Sequence, residues 1–358
     1  MFQFIIRRLF YGFFVLLGVI VVVFFLFNIL PGDPARMMLG QRADISSVAA
    51  INKDLGRDKP MGVQFLNYLN DISPLSIHSN KTGSYWFLDE YKYKPYIKLF
   101  TISGRSVVIK TPYLRLSYQS KRKVSEILAT SFPQTALLAC VSMLFAVIIG
   151  IIIGVLCAIF KDTLFDRLSL VLSVFGMSLP SFFAAILSAW IFAFLLSGLT
   201  GLNMFGSLYT VDDLGRGEYL NLKNLILPAF TLGIRPLAII VELTRSSMLD
   251  VLTQDYIRTA KAKGLTYFRV VTRHAMRNAM NPVMTAITGW FASMMAGAVF
   301  IEYVFDWKGI GVVIVDALEK YDFPVVMGAL LFISVILVFI NIFADVMYGF
   351  LDPRIRLN

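Results

Sequence analysis

The side chains most suggestive of chemistry in this 358-residue chain lie in one basic stretch between apolar runs. Residues 255–282 read "DYIRTAKAKGLTYFRVVTRHAMRNAMNP", which is too polar to cross a bilayer and too regularly patterned for a slack linker. Asp255 can cap a helix that starts at Tyr256, and Gly264 can end it because glycine accepts a left-handed backbone at little cost. A second helix, closed by Asn278 and Pro282, would carry a basic row. The cations of the stretch are Arg258, Lys261, Lys263, Arg269, Arg273 and Arg277.

The first of these helices has a small and only weakly apolar face. Tyr256, Ile257, Ala260 and Gly264 lie at helical spacing, with the cations around them. Such a helix can rest on lipid headgroups or dock into a groove of another protein. The lack of large apolar side chains favours close backbone approach to a partner protein.

Enzymatic chemistry finds little support in the sequence. There is no G-x-x-x-x-G-K-[ST] phosphate loop and no G-x-S-x-G nucleophile elbow. His78 and His274 are the only histidines, and Cys140 and Cys157 would lie about 25 Å apart on one helix. We therefore expect no catalytic residue, no metal site and no cofactor in this chain.

The composition is that of an integral membrane protein. Hydrophobic residues make up 57% of the chain and charged residues 16%, against about 25% charged in soluble domains. The net charge of +10 is interpreted as cytoplasmic loops facing anionic lipid rather than as nucleic-acid binding. Six apolar runs are long enough to span a bilayer. They cover residues 9–30, 136–160, 168–196, 225–249, 283–303 and 325–351.

Lysine and arginine in the short loops predict the orientation. Thirteen lie on the side of the N-terminus and four on the other, so the N-terminus and residues 255–282 are expected to be cytoplasmic. Residues 31–132 would then form a small external α+β lobe, with a helix over 49–72 and strands around a Ser103-Gly104 turn. The predicted regions are 1–30 (N-terminal tail and first transmembrane helix), 31–132 (external segment), and 133–358 (five-helix transmembrane core with a cytoplasmic helix at 255–265).

Polar side chains inside the predicted spans are candidates for a transport pathway. Arg235 and Glu242 are two turns apart on one helix face, so they could line a polar path, contact charged peptide termini or form a structural ion pair, with Glu242 able to reach the rim. A second group sits in the middle of the third span, where it could form a kinked gate or an ordinary proline kink. That group is Met177, Ser178, Pro180 and Ser181.

Small residues predict close helix packing in two spans. Gly150-x-x-x-Gly154 in the second span favours packing, and a stripe in the fifth span would pack within the bundle or against a partner. The stripe comprises Ala286, Gly289, Ser293, Ala296 and Gly297.

An acidic loop follows the fifth span. Gly309 and Gly311 open a short helix-like run in it, and the loop could lie near an external gate or be simply solvated. Its acidic residues, expected to face outside, are Glu302, Asp306, Asp316, Glu319 and Asp322.

The stretch "DYIRTAKAKGL…RHAMRNAMNP" resembles the coupling-helix signature of binding-protein-dependent ABC importer permeases, in their dipeptide, oligopeptide and nickel branch. Further similar stretches follow in family order, and together they cover all but about residues 77–115, which look like an insertion. Lys308 stands where the family commonly has proline, and Glu242 is also unusual. The similar stretches are "LFNILPGDPA", "LGRDKPMGVQFLNYL", "VSEILATSFPQTALL", "SLPSFF", "LTRSSMLDVL", "FDWKGIGVVIVDALEKYDFPVVMG" and "LDPRIRLN".

The resemblance implies an all-α polytopic membrane protein of the type I ABC importer kind, with six transmembrane helices and the small α+β lobe. It would be the first permease of a pair in the bacterial cytoplasmic (inner) membrane, multi-pass, with both termini cytoplasmic. Its implied partners are a second homologous permease, two ABC ATPase subunits that bind ATP and Mg, an extracytoplasmic solute-binding protein and the lipid bilayer, with no nucleic acid.

The resemblance also assigns roles to residues of this sequence. Those implied to couple to the ATPase are Asp255, Tyr256, Arg258, Ala260, Lys261, Ala262, Gly264 and Leu265. Those implied to lie near the external gate or the binding protein are Asp306, Trp307, Gly309, Gly311 and Asp322.

Half of a pathway for di- or oligopeptides is the expected function, and two alternatives stay open. The same machinery could carry nickel or another small solute. A chain of a different class could be an ion-coupled secondary transporter or a non-transporting anchor, although intramembrane charge is mostly confined to one span.

Overall fold

The protein is described by a computed structural model covering residues 2–29, 52, 59–81, 84, 86–212 and 217–351. Several expectations lie outside these ranges. They are the start of the predicted 49–72 helix, the family-like residues 31–35, the orientation-setting Arg216, Arg354 and Arg356, and the rest of the closing "LDPRIRLN".

Helices account for most of the described chain, and one small lobe is built around strands. The helices, in chain order, are α1 (Phe2–Ile29), α2 (Met61–Ile72), α3 (Glu90–Tyr93), α4 (Val124–Ile159), α5 (Leu164–Ser178), α6 (Ser181–Ser188), α7 (Ser197–Thr200), α8 (Lys223–Leu252), α9 (Asp255–Ala262), α10 (Tyr267–Arg269), α11 (Met276–Gly297), α12 (Val299–Phe305), α13 (Ile310–Glu319) and α14 (Phe323–Leu351), with π-helical turns at Ala189–Leu195 and Val270–Ala275.

Four helices of the described chain are long and apolar enough to cross a membrane, and two bent helix pairs raise the number to as many as six. The six segments correspond to the six predicted runs. The four single helices are Ile6–Asn28, Val124–Ile159, Lys223–Leu252 and Phe323–Val346, and the bent pairs are Leu164–Ser178 with Ser181–Leu195 and Tyr267–Met295 with Val299–Phe305.

Two compact units divide the chain. One comprises Met1–Phe13, Ser131–Val312 and Val335–Asn358, and the other comprises Phe14–Thr130 and Val313–Ser334. The first unit contains most of the transmembrane helices and all of α9, whereas the second contains the lobe.

Helix α8 lies at the centre of the first unit. Its most apolar window is 67% buried, against 17% for α1. Pro228 and Pro236 are within the buried part, whereas Arg235 and Glu242 are exposed. The predicted packing role of Gly150 and Gly154 is confirmed: a Cβ at Gly154 would lie 2.6 Å from Cβ of Thr244 on α8. Close approach of α4 and α8 therefore requires glycine there.

The lobe in the second unit contains a three-stranded antiparallel sheet of order β1-β3-β2, formed by Leu75–Ser79, Arg105–Lys110 and Tyr96–Ile102. The predicted turn is confirmed, because β2 and β3 form a hairpin around Ser103 (φ 51°) and Gly104 (φ 77°). The first unit adds a two-stranded hairpin, β4 (Tyr209–Val211) and β5 (Glu218–Leu220), that the sequence did not predict.

A polar network fills the space beneath the sheet. The Lys110 ammonium donates to the Asp71 carbonyl (2.7 Å) and lies 4.3 Å from the centre of the Tyr93 ring, whose hydroxyl donates to the Asp71 carboxylate (2.7 Å). His78 packs on Tyr93 with ring centres 4.5 Å apart. Burial lowers the pKa of His78 to about 4 and that of Lys110 to about 8, so both favour their neutral forms more than in water.

Candidate functional site

The predicted cytoplasmic helix is present as α9, Asp255–Ala262. The expectation that Asp255 caps it is wrong: Gln254 occupies the N-cap position without a side-chain hydrogen bond, and Asp255 lies in the first turn. There its carboxylate meets Arg258 at 3.4 Å, and both side chains are exposed. The acidic charge still lies at the positive end of the helix dipole.

Helix α9 ends just before Gly264, as the sequence predicts. Gly264 has φ +76°, a conformation that costs other residues strain. Its N–H donates to the Lys261 carbonyl (3.0 Å), and the N–H of Leu265 reaches back to Ala260 (3.4 Å), which is the Schellman pattern of a helix end. The half-buried Leu265 packs on the cluster beneath the helix.

The face of α9 that was expected to dock on a partner is instead partly turned inward. Ile257 and Ala260 are buried, 0% and 6% exposed, in a cluster with Met248 of α8 and Val270 of the π-helical turn. Tyr256 ties α9 to α11, because the Asn278 side-chain amide of α11 donates to the Tyr256 hydroxyl (2.8 Å). Helix α9 is thus attached to the helices on both sides of it.

The outward surface of α9 is polar and cationic. Thr259 and Ala262 are exposed on it, and so are the three basic side chains. We name this surface the outer face of α9. It consists of Arg258, Thr259, Lys261, Ala262, Lys263 and Gly264.

The basic row that follows α9 is exposed but does not end where predicted. Arg269, Arg273 and Arg277 all face outward, and Val270–Ala275 between them is π-helical. Pro282 does not close the segment, because α11 runs through it to Gly297. Extra residues per turn in a π-helical stretch are often found at functional sites.

A partly buried ion pair joins α5 to α8 near the start of α9, and no sequence pattern predicted it. The Asp166 carboxylate accepts two hydrogen bonds from the Arg245 guanidinium, at 2.5 and 2.7 Å. Thr163 is the N-cap residue of α5, and its side chain accepts a hydrogen bond from the Asp166 N–H. The partners are 79 residues apart, so only an alignment of related sequences could have paired them.

The third predicted span is broken rather than kinked. Helix α5 ends at Ser178, α6 starts at Ser181, and the two axes differ by 112° around Pro180. Both interpretations from the sequence, a kinked gate and an ordinary proline kink, assumed one continuous helix with a smaller bend. Arg235 of α8 reaches the free end of α5, where it donates weakly to the Met177 carbonyl (3.5 Å).

A cavity of about 80 Å³ lies at this break. Arg235 and Ser181 line it, whereas Met177, Ser178, Pro180 and Glu242 do not. Glu242 is exposed two turns away, and no ion pair joins it to Arg235. The full lining is Gly176, Leu179, Ser181, Ala184, Thr231, Leu232, Ile234, Arg235, Pro236, Trp290, Ser293, Met294 and Ile301.

The loop after α12 is folded inward, and Trp307, Gly309 and Gly311 are all buried. Trp307 is 0% exposed, and its indole N–H donates to the Gln134 carbonyl (3.0 Å). The Gly311 N–H donates to the buried Glu302 carboxylate (2.6 Å). A side chain at Gly309 would collide with the same carboxylate.

Two acidic residues expected to face outside are therefore interior anchors. Glu302 is 0% exposed and Asp322 is 4% exposed. Asp322 accepts from the Ser117 hydroxyl (2.5 Å) and the Tyr118 N–H (2.9 Å), which fixes the segment that enters α4. Asp306 alone of the five predicted gate residues is exposed.

No group of three or more potential metal ligands occurs within the described ranges. The arrangement offers a cationic helix surface attached to two membrane helices, and a small cavity with one guanidinium. Neither has the make-up of a site for bond chemistry.

Two known protein families match most of the chain. The family described as "Binding-protein-dependent transport system inner membrane component" matches residues 150–357, and its N-terminal companion matches residues 1–82. The dipeptide transport system permease protein DppB of Escherichia coli (strain K12) is 33% identical, with 99% of each chain covered.

Two further relatives show the same extent of similarity. DppB of Alkalihalophilus pseudofirmus is 32% identical over 96% of each chain. The glutathione transport system permease protein GsiC of Salmonella typhimurium is 34% identical over 95% of this chain and 94% of its own.

Among solved structures, a chain of the MetNI methionine ABC transporter in an inward-facing conformation has a TM-score of 0.50 at 16% identity. The match covers 64% of this chain and 97% of the other. The fold is that of a type I ABC importer permease. Together with the sequence matches, this places the protein in the family of binding-protein-dependent transport system inner membrane components.

Proposed function

We propose that this permease forms half of the translocation pathway of an ATP-driven importer of small peptides. Relatives named as dipeptide permeases cover nearly its whole length, which supports the substrate class. The glutathione permease of Salmonella, at 34% identity, makes a glutathione-like tripeptide the second candidate.

The observation that carries the proposal is the mounting of α9. Its inner side is buried against α8 and the start of α11, and Tyr256 is hydrogen-bonded to Asn278. A force applied to the outer face would therefore reach both membrane helices together. We infer that a groove of a separate ATPase subunit receives this outer face, and that ATP and Mg bind to that subunit.

This mounting changes the role of two residues in the coupling scheme. Ala260 and Ile257 hold α9 on its own chain, so they would transmit the movement rather than contact the ATPase. Arg258, Lys261 and Lys263 are the exposed groups that a partner surface with acidic side chains would attract.

A companion permease is supported by the small-residue stripe of α11. Gly289 and Ser293 are exposed, and a Cβ at Gly289 would meet no atom within 4 Å. A second permease could approach this helix closely. In the proposed orientation both termini and α9 are cytoplasmic, and a solute-binding protein delivers the peptide from the other side of the inner membrane.

The cavity at the α5–α6 break supports a role in the pathway. The Arg235 guanidinium suits the carboxylate that every free peptide carries. A volume of about 80 Å³ is too small for a peptide, since small-molecule sites measure about 300–1,000 Å³. Passage would therefore require α5 and α6 to separate further from α8.

Charge reversal on the outer face tests the coupling. Arg258→Glu combined with Lys261→Glu, in the assembly with both ATPases and the companion permease, should abolish ATP-driven dipeptide uptake into proteoliposomes. Lys161→Glu, on the exposed turn after α4, is the matched control and should leave uptake intact. Full uptake in the double variant would refute the assignment.

Two further measurements separate the alternatives. Uptake by this chain alone, without ATP, would favour an ion-coupled secondary transporter. Competition of labelled dipeptide uptake by glutathione distinguishes the two candidate substrates, and Arg235→Gln should raise the KM for peptide with little effect on assembly.

A further inference from the structure

The sheet of the lobe carries its apolar side chains on an exposed face and polar side chains on the buried one, the reverse of the usual arrangement. Leu75, Ile109 and Ile97 face one another across the three strands, and so do Ile77, Val107 and Phe100. This face is exposed: the large apolar side chains on it are between 44% and 67% accessible. They are Leu75, Ile77, Ile97, Phe100, Ile102 and Ile109, with Leu99 at the adjoining bulge also exposed.

On β1 and β3 the opposite face is buried and mostly polar. Ser76, His78, Ser106 and Lys110 are all at most 4% exposed, with the apolar Val108 among them. The edge strand β2 exposes Lys98 and Thr101 on this face. In water, an antiparallel sheet with one free face normally turns its polar side chains outward. Polar-inside, apolar-outside alternation is the pattern of strands that face lipid.

The apolar face is too large to be an ordinary feature of a water-exposed surface. A large side chain presents on the order of 150–250 Å², so six side chains exposed by about half present several hundred Å². A contiguous patch of that size marks an interaction site on soluble proteins.

Charge around the patch indicates the chemistry of its occupant. Residues 75–110 contain six Lys/Arg and two Asp/Glu. Arg105 is exposed on the apolar face, and Lys81 is exposed directly after β1. Lys98 is also exposed, but it pairs with Val108 and so lies on the opposite face. An apolar face bordered by cations is the combination that binds an anionic bilayer surface.

The lobe is also fastened to membrane helices of its own unit. Phe65 and Tyr68 of α2 stack on Phe24 of α1, with ring centres 5.1 and 5.4 Å apart. Tyr68 shares a buried cluster with Met327 and Leu331 of α14. The lobe is thus held at the ends of two apolar helices, where the bilayer surface lies.

We propose that the apolar face of this sheet rests on the lipid bilayer, with its aliphatic side chains at the headgroup–acyl boundary and Lys81 and Arg105 among anionic headgroups. The lobe then serves as a second, peripheral membrane anchor. The proposal needs only that the chain spans a membrane, so it is independent of the transported substrate and of the ATPase coupling.

Site-specific quenching tests the proposal in the full chain, alone and in the complete assembly, in nanodiscs that contain anionic phospholipid. Cys140→Ser and Cys157→Ala remove the native thiols, and a fluorophore is then placed at Ile97→Cys. Lys92→Cys is the matched control. It lies on α3, whose Tyr93 packs on the polar side of the sheet, and it is exposed.

Spin-labelled lipid should quench the fluorophore at position 97 severalfold more than at position 92, and aqueous iodide should do the reverse. The same contrast is expected with and without the other subunits. Iodide quenching at position 97 in the assembly would overturn the proposal, and so would protection from both quenchers that appears only when another protein subunit is added. Ile102→Cys repeats the measurement if the first variant fails to fold.

Discussion

Replacing Asp166 with asparagine should destabilise the transmembrane unit by about 1.5–3 kcal/mol, because its charge-assisted hydrogen bonds to Arg245 would be lost. The pair is partly buried: the Asp166 side chain is 2% exposed and that of Arg245 is 19% exposed. Both carboxylate oxygens accept from the guanidinium, at 2.5 and 2.7 Å. Residual exposure of Arg245 favours the lower end of that range.

A double-mutant cycle isolates the interaction. Arg245→Gln should be destabilising as well, and Asp166→Asn with Arg245→Gln should cost less than the sum of the singles, since no unpaired charge remains. We expect a coupling energy of about 2 kcal/mol, within the range for residues in direct contact. The free energy of unfolding can be measured by titrating the purified chain in mixed micelles with sodium dodecyl sulfate and recording tryptophan fluorescence.

The control residue, Asp250, lies on α8, the helix that also carries Arg245. Asp250→Asn changes an exposed carboxylate two residues before the end of α8, and it should change stability by no more than about 0.5 kcal/mol. The reasoning fails if Asp166→Asn behaves like Asp250→Asn, or if the two single effects simply add.

Three more outcomes follow from the described contacts. The pKa of His78 is about 4 in the folded lobe and about 6.5 in an unfolded chain. Between these pH values the unfolded state therefore binds an extra proton. The free energy of unfolding of the lobe should fall by at most about 3 kcal/mol as pH falls from 6.5 to 4. Amide exchange in the sheet, corrected for its intrinsic pH dependence, should show this, and His78→Phe should flatten it. Gly264→Val should cost about 1–2 kcal/mol because φ is +76°, and faster amide exchange at the end of α9 should report it, whereas Gly264→Asn should cost less. Asp322→Asn should weaken charge-assisted hydrogen bonds from Ser117 and its neighbour and lower stability by about 1.5–3 kcal/mol in the same detergent titration.

Each of these has a clear contrary result. A lobe equally stable at pH 4 and pH 7 would mean that His78 is not held neutral by burial. Equal effects of valine and asparagine at Gly264 would remove backbone strain as the cause. An unchanged midpoint for Asp322→Asn would show that its hydrogen bonds do not hold the segment before α4.

The elements that sequence reasoning found are those determined by local composition. Apolar runs of bilayer length predict spans, and the six runs correspond to six segments. Gly264 ends α9 because few residues accept its backbone conformation, and the Ser103-Gly104 turn closes a hairpin for the same reason. These signals lie within a few residues of the structure they dictate.

The errors concern what covers a surface, which depends on residues far away in the chain. Ile257 and Ala260 looked like a docking face because the residues that bury them, among them Met248 and Val270, come from flanking segments that fold back. The burial of the loop after α12 could not be predicted either, because Trp307 and Ile310 are held by Gln134 and Thr135, which are far away in the chain.

Helix α8 is continuous over Lys223–Leu252 although it contains Pro228 and Pro236, and its length has a consequence for how motion spreads. At 1.5 Å per residue its 30 residues extend about 45 Å. Arg245 lies near one end of it, and Arg235 sits ten residues further in, at the cavity. A pivot of about 10° about one tip would swing the opposite tip by about 8 Å over such a length, while points near the fulcrum barely shift. Under the proposed coupling, a small displacement at the end of α8 near α9 would therefore become a larger displacement at its other end.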